Sequence, residues 1–171
     1  MKDQQADSLP ARLSHRQHQL HEALLSSRRT VATAESCTGG WIAKALTDLA
    51  GSSAYVYGGL VTYSNEAKTA LLGVPGDLIQ NHGAVSEPVV RAMVAGVLDR
   101  TGADLAVAVS GVAGPGGGSD EKPVGTVWIA SGNRSGDRHA ECKLFSGDRD
   151  AVRLATVVRA LELLLQQVRT Q

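Results

Sequence analysis

The chain has 171 residues, 43 % of them apolar and 20 % charged, which fits one globular domain and excludes a disordered or fibrous chain. Seventeen basic side chains balance seventeen acidic ones, so neither the basic footprint of a nucleic-acid binder nor a polybasic membrane anchor is present. The two cysteines, Cys37 and Cys142, are far apart and form no CxxC pair, which argues against a disulfide framework or zinc ribbon and fits a reducing compartment.

Residues 1–10 are polar and lack the apolar stretch of a secretory signal, and no apolar run approaches the roughly 18 residues of a membrane helix. The expectation is a disordered lead-in over 1–10 and one cytoplasmic domain over 11–171. Leu13, Leu20, Ala23 and Leu24 recur at helical spacing and predict an amphipathic helix over 11–28. A short strand over 30–34 runs into Glu35-Ser36-Cys37-Thr38-Gly39-Gly40, and a helix over 41–49 follows. Gly51-Ser52-Ser53 opens a β-rich run over 54–63.

Ser64 or Asn65 caps a helix that stops at Gly73. Val74-Pro75-Gly76-Asp77 is turn chemistry and leads to a short helical turn and a loop at His82-Gly83. Ser86-Glu87-Pro88 starts a helix to about residue 100, with serine as N-cap and an acid and a proline in the first turn. The alternation of Leu105, Val107 and Val109 with alanines predicts a fully buried strand over 104–110. A Gly-rich segment over 111–119 precedes two strands, 124–131 and 138–145, joined as a hairpin, and a last helix spans 148–168. Helices interleaved with strands, plus one late hairpin, predict an α/β fold: a three-layer α/β/α sandwich around a mixed, mostly parallel sheet.

Ligands in open α/β sheets collect where loops leave the carboxyl ends of parallel strands, and four segments fall at such places. In Thr33 to Gly40, Ser36 sits between a strand end and a helix start, where following amides offer an oxyanion site; alternatively Ser36 or Thr38 only caps the helix. In Tyr63 to Lys68, the lysine serves as a base if its pKa is lowered, with Tyr63 relaying a proton, or both are ordinary surface groups. The glycines from Gly111 to Gly118, after Ser110, suit a backbone cradle for a phosphate or flat ring, or a flexible loop; they match no Walker or dinucleotide pattern. Asp148 and Arg149 open the last helix as an anion site or an ordinary cap.

Two further groups compete for attention. His15, His18 and His21 recur every three residues, but that spacing drifts around a helix and no carboxylate or cysteine completes a metal set, so no metal is expected. Cys37 at a helix start is a second candidate nucleophile, activated there, with His82 as its remote base.

Together, TAESCTGGW at 33–41, VTYSNEAK at 61–68, HGAVSEPVV at 82–90, GxAGPxGGSxEKPVGTVW at 111–128 and GDRDAVR at 147–153 resemble the C-terminal domain of the competence/damage-inducible protein CinA family. The resemblance extends over about residues 20–168 and is carried by specific motifs. Stand-alone members of that family are nicotinamide-nucleotide amidohydrolases, so the resemblance implies hydrolysis of nicotinamide mononucleotide to nicotinic acid mononucleotide and ammonia, without a cofactor. It implies Ser36 as nucleophile, Tyr63 and Lys68 as its activating partners, and substrate or catalytic contacts at Ser110 and Arg149; the amides of the two glycine-bearing loops add Thr38, Gly39, Gly111 and Gly114 as candidate substrate-binding positions. It also implies self-association, with a dimer favoured, and the zero net charge leaves that unopposed. The competing expectation is a nucleotide-binding regulatory module with the same pocket and no significant turnover.

Overall fold

The computed structural model describes residues 8–170. Most of the lead-in expected over 1–10 lies outside the described residues, but Leu9 and Pro10 are helical. Helix α1 (Leu9–Ser27) starts there because Ser8 accepts a hydrogen bond from the Ala11 amide and a proline fits the first turn. In chain order there follow β1 (Val31–Glu35), α2 (Trp41–Thr47), β2 (Val56–Val61), α3 (Asn65–Leu72), α4 (Gly76–His82), α5 (Glu87–Thr101), β3 (Leu105–Gly111), β4 (Thr126–Asn133), β5 (Arg138–Leu144) and α6 (Arg149–Arg169).

The sheet order is β2-β1-β3-β4-β5. β1 pairs parallel with β2 and β3, while β4 is antiparallel to β3 and β5 antiparallel to β4, so four of the five strands point the same way. Side chains alternate across a strand, and here the alternation is also one of size. Val31, Leu105, Val107, Val109, Val127 and Ile129 pack against α1, α2 and α6. Ala32, Ala34, Ala106, Ala108 and Ala130 form the other face, under α3, α4 and α5. The alanine face lets α5 lie close to the sheet. Gly96 extends that economy: a Cβ there would lie 2.0 Å from the Leu72 carbonyl oxygen at the end of α3.

β1 is the switch point of the sheet. The chain moves from it to β2 on one side through α2, then crosses back to β3 on the other through α3, α4 and α5. The two crossovers cover opposite faces, as right-handed connections require, and they leave a crevice above the end of β1. Register decides what meets there. Glu35 is level with Val61 and with Val109, so the next residues, Ser36, Thr62 and Ser110, arrive together. The backbone confirms this beyond the strand ends: the Ser36 amide donates to the Val109 carbonyl at 3.1 Å and the Thr62 amide to the Glu35 carbonyl at 2.8 Å.

Candidate active site

Helix α3 delivers a lysine to this crevice because its ends are well defined. Ser64 Oγ accepts from the Ala67 amide at the start, and Gly73, in a left-handed conformation, closes the other end. Lys68, one turn in, is 1 % exposed. Its Nζ lies 3.0 Å from Ser36 Oγ, 3.0 Å from the Thr62 carbonyl and 3.3 Å from the Tyr63 carbonyl. Among the described residues, no carboxylate pairs with it. Burial therefore pulls its pKa below the ordinary lysine value, with only a weak opposing influence from Cys37.

The three contacts have unequal meaning. Two carbonyls can only accept, so they take two N–H groups of the amine. The third contact is with a hydroxyl, which both donates and accepts. In the neutral amine, the remaining lone pair is left for Ser36 O–H. The geometry thus prepares proton transfer from the serine to the lysine.

Ser36, Tyr63, Lys68, Ser110, Gly111 and Arg149 line one cavity of about 240 Å³. Tyr63 enters it differently from the sequence-based expectation. Its carbonyl meets the amine, whereas its phenol is exposed and accepts from Arg149 Nη2 at 3.1 Å. Arg149, the first residue of α6, also donates through Nη1 to the Gly114 carbonyl at 2.7 Å. Gly114 thus turns a carbonyl toward the guanidinium and does not itself line the cavity.

Thr38 and Gly39, expected at the substrate, do not line this cavity. They line a separate, wider depression of about 560 Å³ with Trp41 and Arg153. The Thr38 hydroxyl is buried and donates to Glu35 Oε2 at 2.6 Å, and the Gly39 amide donates to the Ser36 carbonyl at 3.1 Å. The bond to Glu35 draws Thr38 to the α2 side, and Gly39 and Gly40, with positive φ of +61° and +98°, continue the tight turn into α2. The amides of Cys37 and Thr38 are left without an acceptor on another residue among the described residues.

Cys37 also lines the cavity, but the activation expected of it does not occur. It is buried, and desolvation pushes its thiol up to about 11, so it stays protonated near neutral pH. His82 is exposed and is not part of the cavity wall; its carbonyl accepts from Lys122 Nζ. The histidines of α1 serve packing and local bonds: His21 Nδ1 lies 2.9 Å from the Tyr55 hydroxyl, and His18 Nδ1 lies 2.8 Å from the Ser14 carbonyl. Ser86 holds the N-cap position of α5, but its hydroxyl donates to the Gly83 carbonyl instead of accepting the cap bond.

Asn65, Ala84, Val85 and Ala113 complete the wall and went unmarked as site residues in the sequence. Asn65 stands beside a strong signal, the Ser64 cap. Ala84 and Val85 carry no chemistry of their own and become visible only as a surface. A further omission is Glu35, fully buried at the end of β1. Its signal was present: a carboxylate closing an otherwise apolar strand, just before the turn.

Comparison with known proteins assigns the family. Residues 13–168 match the model of the CinA C-terminal domain. The chain is 55 % identical over 149 residues to an Escherichia coli protein named nicotinamide-nucleotide amidohydrolase PncC, covering 87 % of this chain and 90 % of that protein. A crystal structure of the competence/damage inducible protein CihA from Agrobacterium tumefaciens superposes with a TM-score of 0.88 at 45 % identity, over 91 % of this chain and 94 % of that one. A CinA superfamily protein from Klebsiella pneumoniae superposes with a TM-score of 0.89 at 39 % identity, over 93 % and 99 % of the two chains. With its fold, its motif-bearing loops and nearly its whole length accounted for, the chain belongs to the CinA C-terminal domain family.

Proposed function

We propose that this protein is an amidohydrolase that converts nicotinamide mononucleotide to nicotinic acid mononucleotide and ammonia, with Ser36 as nucleophile and neutral Lys68 as its base. The observation that carries the mechanism is the 3.0 Å contact between Lys68 Nζ and Ser36 Oγ, at a place where burial lowers the pKa of the amine. The substrate is taken from the relative named for that activity, at 55 % identity.

A carboxamide is a poor electrophile and needs both a strong nucleophile and a stabilised oxyanion. Lys68 takes the Ser36 proton as Oγ bonds to the carboxamide carbon, and the C=O electrons move to oxygen. Backbone amides at the start of the turn after Ser36, or of the Gly111 loop, receive that oxyanion. The lysine ammonium then protonates the departing nitrogen, which leaves as ammonia, and the nicotinoyl ester remains on Ser36. Water, deprotonated by the same amine, attacks the ester; the acid leaves, and Ser36 Oγ recovers its proton. Ser110 and Arg149 hold the nucleotide, the arginine pairing with its phosphate. Tyr63 contributes its carbonyl to the amine and its phenol to the placement of Arg149.

No helix among the described residues is long and apolar enough to cross a membrane. We place the reaction in the cytoplasm, where the free thiols of Cys37 and Cys142 stay reduced. A homodimer belongs to the same reading: β2 is an edge strand without a charged residue, and Tyr57 and Val61 on it are exposed.

The test is ammonia release from nicotinamide mononucleotide, with and without a chelator. Release that survives chelation supports the metal-free serine mechanism. Nucleotide binding without ammonia identifies a regulatory module instead.

A further inference from the structure

We infer that Glu35 is a positioning residue, whose buried carboxylate holds the turn over 36–40 in the shape that aims Ser36 at Lys68. The inference rests on the reading of Ser36 as nucleophile. Glu35 is 0 % exposed, and among the described residues no lysine or arginine pairs with it. A carboxylate so placed is very costly unless its oxygens are satisfied. Five groups satisfy them. Oε1 accepts from the Ala43 amide at 2.8 Å and Thr33 Oγ1 at 3.2 Å. Oε2 accepts from Thr38 Oγ1 at 2.6 Å and from the amides of Gly40 and Ile42 at 3.0 Å each. Three of these are backbone N–H groups, which can only donate, so both oxygens must act as acceptors.

Alternation along the extended chain separates the two neighbours. Glu35 points toward α2, and Ser36 points toward α3 and Lys68. The carboxylate therefore does not touch the reacting atoms and acts only through the backbone between. It gathers the Thr38 hydroxyl and the amides at residues 40, 42 and 43 onto one point. That fixes the turn in which the Gly39 amide holds the Ser36 carbonyl, while Val109 holds the Ser36 amide. Ser36 is thus clamped on both sides of its Cα, which sets the direction of Oγ. The neighbouring Gly59 makes the room: a Cβ there would lie 2.5 Å from Thr33 Oγ1 and 2.8 Å from the Ala43 Cβ, both partners of this network. On this account the Thr38 hydroxyl serves the nucleophile's placement, not the substrate.

Thr38→Val removes one of the five bonds with little change of shape, and Thr38→Ser keeps it. Displacing a reacting atom by about 1 Å costs about a hundredfold in rate. Thr38→Val is expected to lower kcat for nicotinamide mononucleotide by about ten- to a hundredfold with KM unchanged, and Thr38→Ser to restore it. Glu35→Gln replaces an acceptor oxygen with an NH₂ group facing N–H donors and is expected to lose at least as much. Should Glu35→Gln not fold, the threonine pair carries the test. A second readout is the rate at which a fluorophosphonate labels Ser36, which needs no nucleotide; Thr38→Val should slow it in parallel with kcat. A raised KM with kcat and labelling unchanged overturns the inference and returns Thr38 to the substrate. Labelling of the wild-type enzyme without ammonia release overturns the choice of substrate alone and leaves the positioning role standing. Absence of Ser36 labelling in the wild-type enzyme overturns the nucleophile and this inference with it.

Discussion

Lys68 Nζ stands 3.0 Å from Ser36 Oγ although 32 positions separate the two residues in the chain. The contact joins the end of β1 to the first turn of α3, and among the described residues no carboxylate pairs with the amine. It is the configuration expected when an amine must remain uncharged to accept a proton.

Ser36→Ala is expected to fold normally and to lose about three or more orders of magnitude in kcat, because no other nucleophile can take over. Cys37→Ala should retain nearly full turnover, since that thiol is held protonated by burial. Steady-state ammonia release on the two variants checks both expectations. The opposite pattern transfers the nucleophile to the cysteine.

The pH profile should report Lys68. Its pKa is shifted down by desolvation, and only the neutral amine accepts the serine proton. Activity therefore rises with pH as the ammonium is lost, with a midpoint below the ordinary lysine value of about 10.4. Lys68→Arg, which cannot be deprotonated, should lose turnover at every pH measured. An ascending limb at or above the ordinary lysine value would mean that the buried amine is not the base.

Arg149→Ala should act mainly on binding. The guanidinium reaches both Tyr63 and the Gly114 carbonyl, and a charge-assisted contact to a phosphate accounts for about 1.5–3 kcal/mol. KM for the nucleotide is expected to rise about ten- to a hundredfold with a smaller change in kcat. Nicotinamide riboside, which lacks the phosphate, should be nearly insensitive to the substitution. Equal losses on both compounds would remove Arg149 from the phosphate site.

Gly96→Ala tests the packing that seats the lysine. Helix propensity alone favours alanine by about 0.5–1 kcal/mol. The new Cβ, however, meets the Leu72 carbonyl oxygen at 2.0 Å, and this is backbone that cannot rotate away. Overpacking of this kind costs about 1–3 kcal/mol, so the clash wins. The variant should show a lowered Tm and a reduced kcat, because Leu72 closes the helix that carries Lys68. A raised Tm would show that α3 and α5 part easily.

The secondary structure was largely legible because each signal is local. Ser64, Gly73 and Asp148 mark helix ends through their own caps, and the alternation from Leu105 to Val109 marks a strand buried on both faces. Ser36, Tyr63 and Lys68 were named from their motifs, yet the contacts each makes were not equally visible. Tyr63 was read through its phenol, whereas its carbonyl is what meets the amine. Thr38 and Gly39 were read as facing a ligand because they follow Ser36 in the chain. The bond of the Thr38 hydroxyl to Glu35 and the tight turn through Gly39 and Gly40 put them on the α2 side, which sequence adjacency conceals.

By itself, the sequence determined which residues are chemically capable, where helices and strands begin and end, and that the layers stack as α/β/α, because caps, periodicity and motif spacing act over a few residues. The tertiary structure decided which of those residues meet: strand register brings Ser36, Ser110 and the end of β2 level, and the inward-facing Lys68 of α3 is buried with no carboxylate partner among the described residues. Register and desolvation arise from contacts between segments far apart in the chain, so no local pattern encodes them.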